Sequence, residues 1–219
     1  MANYREPVVV IGLGRFGTSL ALELVRRGTE VLAIDSQPAI VQRLSGHIGQ
    51  IVVADTTDIE SLRDVGVPDF NRAVVAIGSD MQASILTTSL LSELEIQQIW
   101  AKALTPDHAR ILERVGAQHV VMPEREMGLR VAHLVSDQML DYLEIDEDWV
   151  MVKTQPPKEL CGMPLDNQRL RKKGVAVVSV KPAGQDSFRH IDPDTHLSYG
   201  DQIVIAGCSR DVDKFIQRI

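Results

Sequence analysis

Six short aliphatic runs recur through the first 123 residues of this chain: VVVIG (8–12), EVLAID (30–35), QIVVAD (50–55), RAVVAIG (72–78), QIWAKA (98–103) and HVVMP (119–123). Segments with helical spacing lie between them, among them TSLALELVRRG (18–28) and SDMQASILTTSLLSELE (79–95). Strands that are apolar throughout, rather than at alternate positions, bury both faces, which in a soluble chain means a parallel sheet covered by helices on each side. The alternation therefore predicts an α/β fold with a doubly wound parallel sheet. Gly28 is placed to stop the first helix before the second strand. Apolar residues make up 44% of the chain but aromatic ones only 4%, so the expected core is aliphatic.

The turn after the first run narrows this reading. In VVVIGLGRFGTSLALELVRRGTEVLAID, Gly12, Gly14 and Gly17 form GxGxxG between a strand and a helix. The first glycine permits the tight turn, the second lets backbone approach a pyrophosphate, and the third lets the helix lie close on its strand. Asp35 ends the second run 18 residues past Gly17, where a carboxylate accepts hydrogen bonds from both ribose hydroxyls and repels a 2′-phosphate. The expectation is a Rossmann-like site for an adenosine nucleotide; the motif alone leaves NAD, ATP and ADP open. Arg15 inside the turn offers a forked donor to phosphate, or is a solvent-facing side chain at a tolerant position. Asp55, ending the third run, caps the next helix or reaches the nucleotide, capping being the commoner role.

The pattern changes beyond residue 126. Residues 127–145, MGLRVAHLVSDQMLDYLEI, place Met127, Val131, Leu134, Val135, Met139, Tyr142 and Leu143 on one helical stripe, which either closes its own domain or docks a second subunit. From Val150 the chain is rich in strands and turns (VMVKT, VAVVSV, QIVIAG, with QPP and KPAG as breakers), and it closes with SRDVDKFIQRI, read as a short helix. The expected organisation is a nucleotide-binding domain over 1–126, a crossover helix over 127–146 and a small α+β domain over 147–219.

Charge and chemistry exclude several functions. With net charge −7 and no basic block beyond RLRKK (169–173), the chain lacks the cationic stripe that nucleic acid demands. Its start, MANYREPVVV, has no basic n-region, no apolar run approaches the ~20 residues that span a bilayer, and Cys161 and Cys208 are not in CxxC spacing. A soluble cytoplasmic protein with reduced thiols is expected. A dehydrogenase needs a proton-transfer group beside its nicotinamide, and no such constellation is visible. In RHIDPDTHL, His190, Asp192, Asp194 and His196 alternate like metal ligands on a strand, but DPDT is turn chemistry that breaks the alternation. Binding without catalysis is the reading.

Over essentially its whole length the chain resembles the cytosolic RCK (regulator of potassium conductance) subunits of bacterial Ktr and Trk potassium uptake systems, the Ktr type above all. The resemblance rests on VIGLGRFGTSLALEL, EVLAID, AIGSDMQASILTTSLLSEL, IWAKA, ILERVGAQHVVMPEREMGLRVA and LSYGDQIVIAG. It implies an RCK_N lobe, a crossover helix that forms the dimer and an RCK_C lobe. Dimers would assemble into an octameric ring under a KtrB/TrkH-like membrane subunit, at the inner face of the membrane, with ATP favouring the conducting state and ADP the inactive one. The same resemblance implies that the GRFG turn (Gly14, Arg15, Phe16, Gly17) and Gly12 hold the phosphates, with Asp35 on the ribose and Gly78 near the adenine–ribose half. Arg15 would reach the γ-phosphate of a neighbouring subunit's nucleotide, and Lys102 and Glu124 would line that inter-subunit site. Glu124 would help hold Mg²⁺, Na⁺ or Ca²⁺, or serve as an acid at a helix N-terminus. Some relatives bind cyclic di-AMP between paired C-lobes, near the strand VAVVSV here. The chain departs from the family at ADTT (54–57), where a glycine is lost, and at Lys181-Pro182, where an arginine is common after the lysine. An NAD(H)-sensing Trk-type subunit and, further off, an NAD-dependent oxidoreductase are the alternatives.

Overall fold

The computed structural model describes residues 6–136, 139–192 and 194–217, arranged in two compact units that divide between Glu124 and Arg125. In the first, six strands form a wholly parallel sheet: β1 (Val8–Ile11), β2 (Val31–Asp35), β3 (Gln50–Val53), β4 (Arg72–Val75), β5 (Gln98–Lys102) and β6 (His119–Val121). Their order is β3-β2-β1-β4-β5-β6, so the chain winds one way from β1, then crosses back beyond it to build the other half. The crevice at that reversal, beyond the carboxyl ends of β1 and β4, is where ligands bind in such sheets. Strands β1 and β2 are buried along their entire length. Two aliphatic clusters form the core: Val9, Ile11, Ile34, Val75 and Ile99 belong to one, and Val8, Val10, Leu13, Val31 and Ala33 to the other.

The helices start and stop where local chemistry directs them. Helix α1 (Arg15–Arg26) ends before Gly28, which takes φ +78° and turns the chain into β2. Helix α2 (Pro38–Leu44) opens with proline. Helices α3 (Ile59–Asp64), α4 (Met81–Glu93) and α5 (Pro106–Arg114) are capped by Asp58, Asp80 and Thr105, whose side chains accept from Ser61, Ala83 and His108 N–H.

Helix α6 (Pro123–Ser136) carries the chain across the boundary into the second unit. The expected helical stripe over 127–145 does not extend that far: Met139–Asp146 is a strand, β7, paired with β8 (Trp149–Thr154). A bulge between Met139 and Asp141 inserts Leu140 as an extra residue, so Met139 and Tyr142, three apart, face the same core. A bulged strand thus reproduces the spacing of a helix, and periodicity alone misreads it. On α6 itself, Met127, Val131 and Val135 are exposed, while Leu134 packs against the second unit's core. That unit is an antiparallel sheet ordered β10-β9-β11-β8-β7, with β9 at Val175–Lys181, β10 at Arg189–His190 and β11 at Gln202–Cys208. Helix α7 (Asn167–Arg171) and helix α8 (Ser209–Ile216) complete it, Val212, Phe215 and Ile216 of α8 packing with Val152, Val177 and Ile205. The closing segment read as SRDVDKFIQRI is helical to Ile216, and its last two residues lie outside those described. No helix among the described residues is long and apolar enough to cross a membrane.

Candidate functional site

A cleft of ≈ 330 Å³ opens at the reversal point of the parallel sheet, lined by Gly12 and Gly14 after β1, Asp35 to Gln37 after β2, Asp55 to Thr57 after β3, and Ile77, Ser79 and Asp80 after β4. The three motif glycines answer to different constraints. Gly12 has φ +87°, a conformation that side-chain-bearing residues rarely adopt. At Gly17 a Cβ would stand 1.9 Å from the Gly12 carbonyl oxygen, so the helix can lie on the turn only without one. Gly14 has ordinary dihedrals (φ −64°, ψ −167°), and a Cβ there would meet nothing within 4 Å. Nothing inside the chain demands glycine at position 14. Gly14 is also the N-cap of α1, and no side chain caps that helix, in contrast to α3, α4 and α5. Its uncapped first turn is suited to phosphate oxygens.

Asp35 is buried at the end of β2. Its Oδ2 accepts from the Leu13 N–H at 2.6 Å and its Oδ1 from the Gln37 N–H at 2.9 Å. It therefore ties the glycine turn to β2, and the remaining lone pairs of each oxygen stay available to hydroxyls. Asp55 does not cap α3; Asp58 does. Instead Asp55 Oδ1 accepts from both Thr57 Oγ1 and Thr57 N–H, and those bonds, the hydroxyl's first, hold its carboxyl below the ordinary range. Asp55 and Asp58 are three positions apart, and sequence alone does not tell which of the two caps.

A second cluster lies beside the start of α1. Lys102, at the end of β5, is the one lysine or arginine buried among the described residues. Its ammonium donates to Glu124 Oε1 at 2.6 Å and lies 5.9 Å from the centre of the Phe16 ring. Gly78 packs against Lys102, for a Cβ there would lie 3.1 Å from Nζ. The Lys102 hydrogen bond, and more weakly the charge of Arg15, hold the Glu124 carboxyl below its usual value. Thus Gly12, Gly14, Asp35 and Asp55 line the cleft, and Arg15, Phe16, Gly78, Lys102 and Glu124 gather at the neighbouring cluster. The loop after β5 is held by buried His108, which accepts the Leu104 N–H through Nδ1 and is kept below its normal pKa by desolvation.

Sequence reading missed Ser36, Gln37, Thr56, Thr57, Ser79 and Asp80 as lining residues. Their common signal was position, each directly following a strand on one side or the other of the reversal point. In the second unit, Asp192 accepts from Thr195 Oγ1 and the Asp194 N–H, and His196 bonds the Asp194 carbonyl, so beyond β10 (Arg189–His190) these residues bond to one another locally and do not continue the strand alternation; Pro193 lies outside the described residues. No group of three or more His, Cys, Asp or Glu that could hold a metal occurs among the described residues.

The fold and cleft define the class: a Rossmann-type nucleotide-binding domain followed by a small antiparallel lobe. Comparison with known proteins makes the assignment specific. The TrkA-N domain family matches residues 8–123 and the TrkA-C domain family residues 150–219. Ktr system potassium uptake protein C of Bacillus subtilis (strain 168) is 35% identical over 217 residues, 98% of each chain. Ktr system potassium uptake protein A of Vibrio alginolyticus is 36% identical over 200 residues, 90% of each chain. The chain belongs to the TrkA-N/TrkA-C family and is a KtrA-like RCK protein. Among solved structures, the GsuK channel superposes with TM-score 0.69 at 16% identity, covering 99% of this chain and 40% of that one, a likeness of fold. GsuK bound to ADP matches at TM-score 0.54 and 25% identity over 62% of this chain and 35% of that one. The GsuK channel bound to NAD matches at TM-score 0.54 and 24% identity over all of this chain and 39% of that one. This chain thus spans less than half of the GsuK polypeptides.

Proposed function

We propose that this chain is the cytosolic, nucleotide-sensing regulatory subunit of a bacterial potassium uptake system. The observation that carries the reading is Gly14: an exposed glycine that the fold does not need, at the uncapped start of α1, opposite the Asp35 carboxylate. Phosphates would lie on the turn of Gly12 and Gly14, and the ribose against Asp35. Arg15 of one protomer would reach the γ-phosphate held by its neighbour, so the discriminating contact lies beyond the β-phosphate, where ATP and ADP differ. A charge supplied across a subunit boundary couples that difference to assembly geometry. Glu124, with phosphate oxygens, would supply ligands to Mg²⁺, Na⁺ or Ca²⁺.

The exposed Met127, Val131 and Val135 face of α6 supports dimerisation through that helix. Dimers would close into an octameric ring beneath a KtrB/TrkH-like membrane subunit, placing the protein at the inner face of the membrane. Cyclic di-AMP is a proposed second ligand of the C-terminal lobe. The work is binding and switching, and the chemistry of transport belongs to the membrane partner. A second reading, NAD(H) sensing, is favoured by the binding of both NAD and ADP by GsuK. Light scattering and small-angle X-ray scattering of the purified protein test the assembly. The expected result is an octamer with either nucleotide and different scattering profiles in ATP and ADP; a monomer, or identical profiles, contradicts the reading.

A further inference from the structure

Helix α6 is held at two places. At its start, Glu124 Oε1 accepts from the Lys102 ammonium, within the first unit. Further on, Arg130 donates to Asp141 Oδ1 through both Nε (3.1 Å) and Nη2 (2.6 Å). One turn later the His133 ring stacks on Tyr142, with centroids 4.1 Å apart and planes 13° off parallel, and Leu134 packs against the second unit's core. Between Glu124 and Val135, Arg130, His133 and Leu134 are partly buried and the rest are exposed. A regular strand would turn adjacent residues such as Asp141 and Tyr142 to opposite faces, and the bulge in β7 before them lets both reach one helix. Gly128 lies between the two anchorages. A Cβ there would meet nothing within 4 Å, and its φ is not in the left-handed region. Neither packing nor backbone conformation within the chain calls for glycine, which inside a helix is looser than alanine.

We propose that Gly128 is a hinge within α6: from Arg130 onward the helix moves as one body with the second unit, its first turn stays with the first unit, and the turn around Gly128 takes up the change between nucleotide states. This deepens the regulatory reading above and rests on it. A soft point at a free helix end has no mechanical consequence, whereas between two separately anchored segments it is where bending concentrates. The Arg130–Asp141 pair and the His133–Tyr142 stack fix the far segment, since an ion pair and a ring stack on successive turns restrain both its tilt and its rotation. Met127 lies before Gly128, and Val131 and Val135 lie after it, all three exposed. Bending at Gly128 therefore reshapes the apolar stripe through which α6 would meet a second copy.

Small-angle X-ray scattering of the full chain with ATP and with ADP tests this on wild type, Gly128→Ala and Ala132→Gly, each with its mass from light scattering and its Tm. Gly128→Ala is expected to keep the wild-type mass and a Tm at or above that of wild type, yet to lose at least about half of the difference between the two nucleotide profiles. Amide hydrogen exchange over residues 125–129 should slow about five-fold in the same variant. Ala132→Gly loosens the exposed face of the helix beyond the first anchor, and should keep the whole difference. A full response in Gly128→Ala overturns the proposal. An equal loss in Ala132→Gly also overturns it, because the response would then follow helix stability in general. So does a fall in the mass of Gly128→Ala, which would assign the glycine to close packing against a second copy. A wild type with identical profiles in ATP and ADP overturns the regulatory reading and this inference with it, whereas the other adverse outcomes overturn this inference alone.

Discussion

Gly17→Ala is expected to destabilise the first unit by about 3 kcal/mol or more, because the new methyl group would stand 1.9 Å from the Gly12 carbonyl oxygen. That obstacle is backbone in a turn already held at both ends. Gly12 N–H donates to the Ile34 carbonyl, and Leu13 N–H donates to Asp35. The helix must therefore shift off its strand, disturbing Ala21 and Leu13, both fully buried. A fall of roughly 10 °C in Tm, read by circular dichroism, is the expected outcome. A variant with wild-type Tm would show that the turn is looser than the structure describes.

Gly14→Ala is the complementary case. Three residues earlier in the same turn, a Cβ has open space and allowed dihedrals, so stability should stay within about 0.5 kcal/mol of wild type or rise slightly through the reduced entropy of the unfolded chain. The methyl group would instead occupy the surface where phosphate approaches α1. Nucleotide affinity is expected to fall at least about ten-fold, because phosphate oxygens lose close contact with backbone N–H donors. Fluorescence titration beside a thermal melt checks both halves. Loss of stability, or unchanged affinity, would remove the argument that this glycine serves a ligand. Two alanines in one motif, one damaging the fold and one the site, separate what the sequence pattern alone combines.

Most of the first unit was legible because its strands are short aliphatic runs and a parallel sheet admits few arrangements of them. Every one of the six runs is a strand, and Gly28 ends α1 as its position implied. The region after Ser136 was not legible in the same way, since the bulge in β7 between Met139 and Asp141 gives Met139 and Tyr142 the separation of helix neighbours. At the site, Gly12, Gly14, Asp35 and Asp55 converge on one cleft. The pairing of Lys102 with Glu124 could not be read from residues 22 apart; it follows from β5 and β6 lying side by side with α6 starting directly after them. Asp58, rather than Asp55, caps α3, a choice that backbone geometry decides and spacing does not.

In the proposed function this cleft senses the difference between a nucleoside triphosphate and a diphosphate. Calorimetric titration of the purified wild-type chain with ATP, ADP, NADH and NAD⁺, repeated with Arg15→Ala, tests it most directly. ATP and ADP are expected to bind more tightly than either dinucleotide. Arg15→Ala should then weaken ATP about ten-fold or more, the loss of a charge-assisted contact, while ADP stays within about two-fold. Preference for NADH or NAD⁺, with Arg15→Ala silent toward all four ligands, would contradict it and assign the cleft to a dinucleotide.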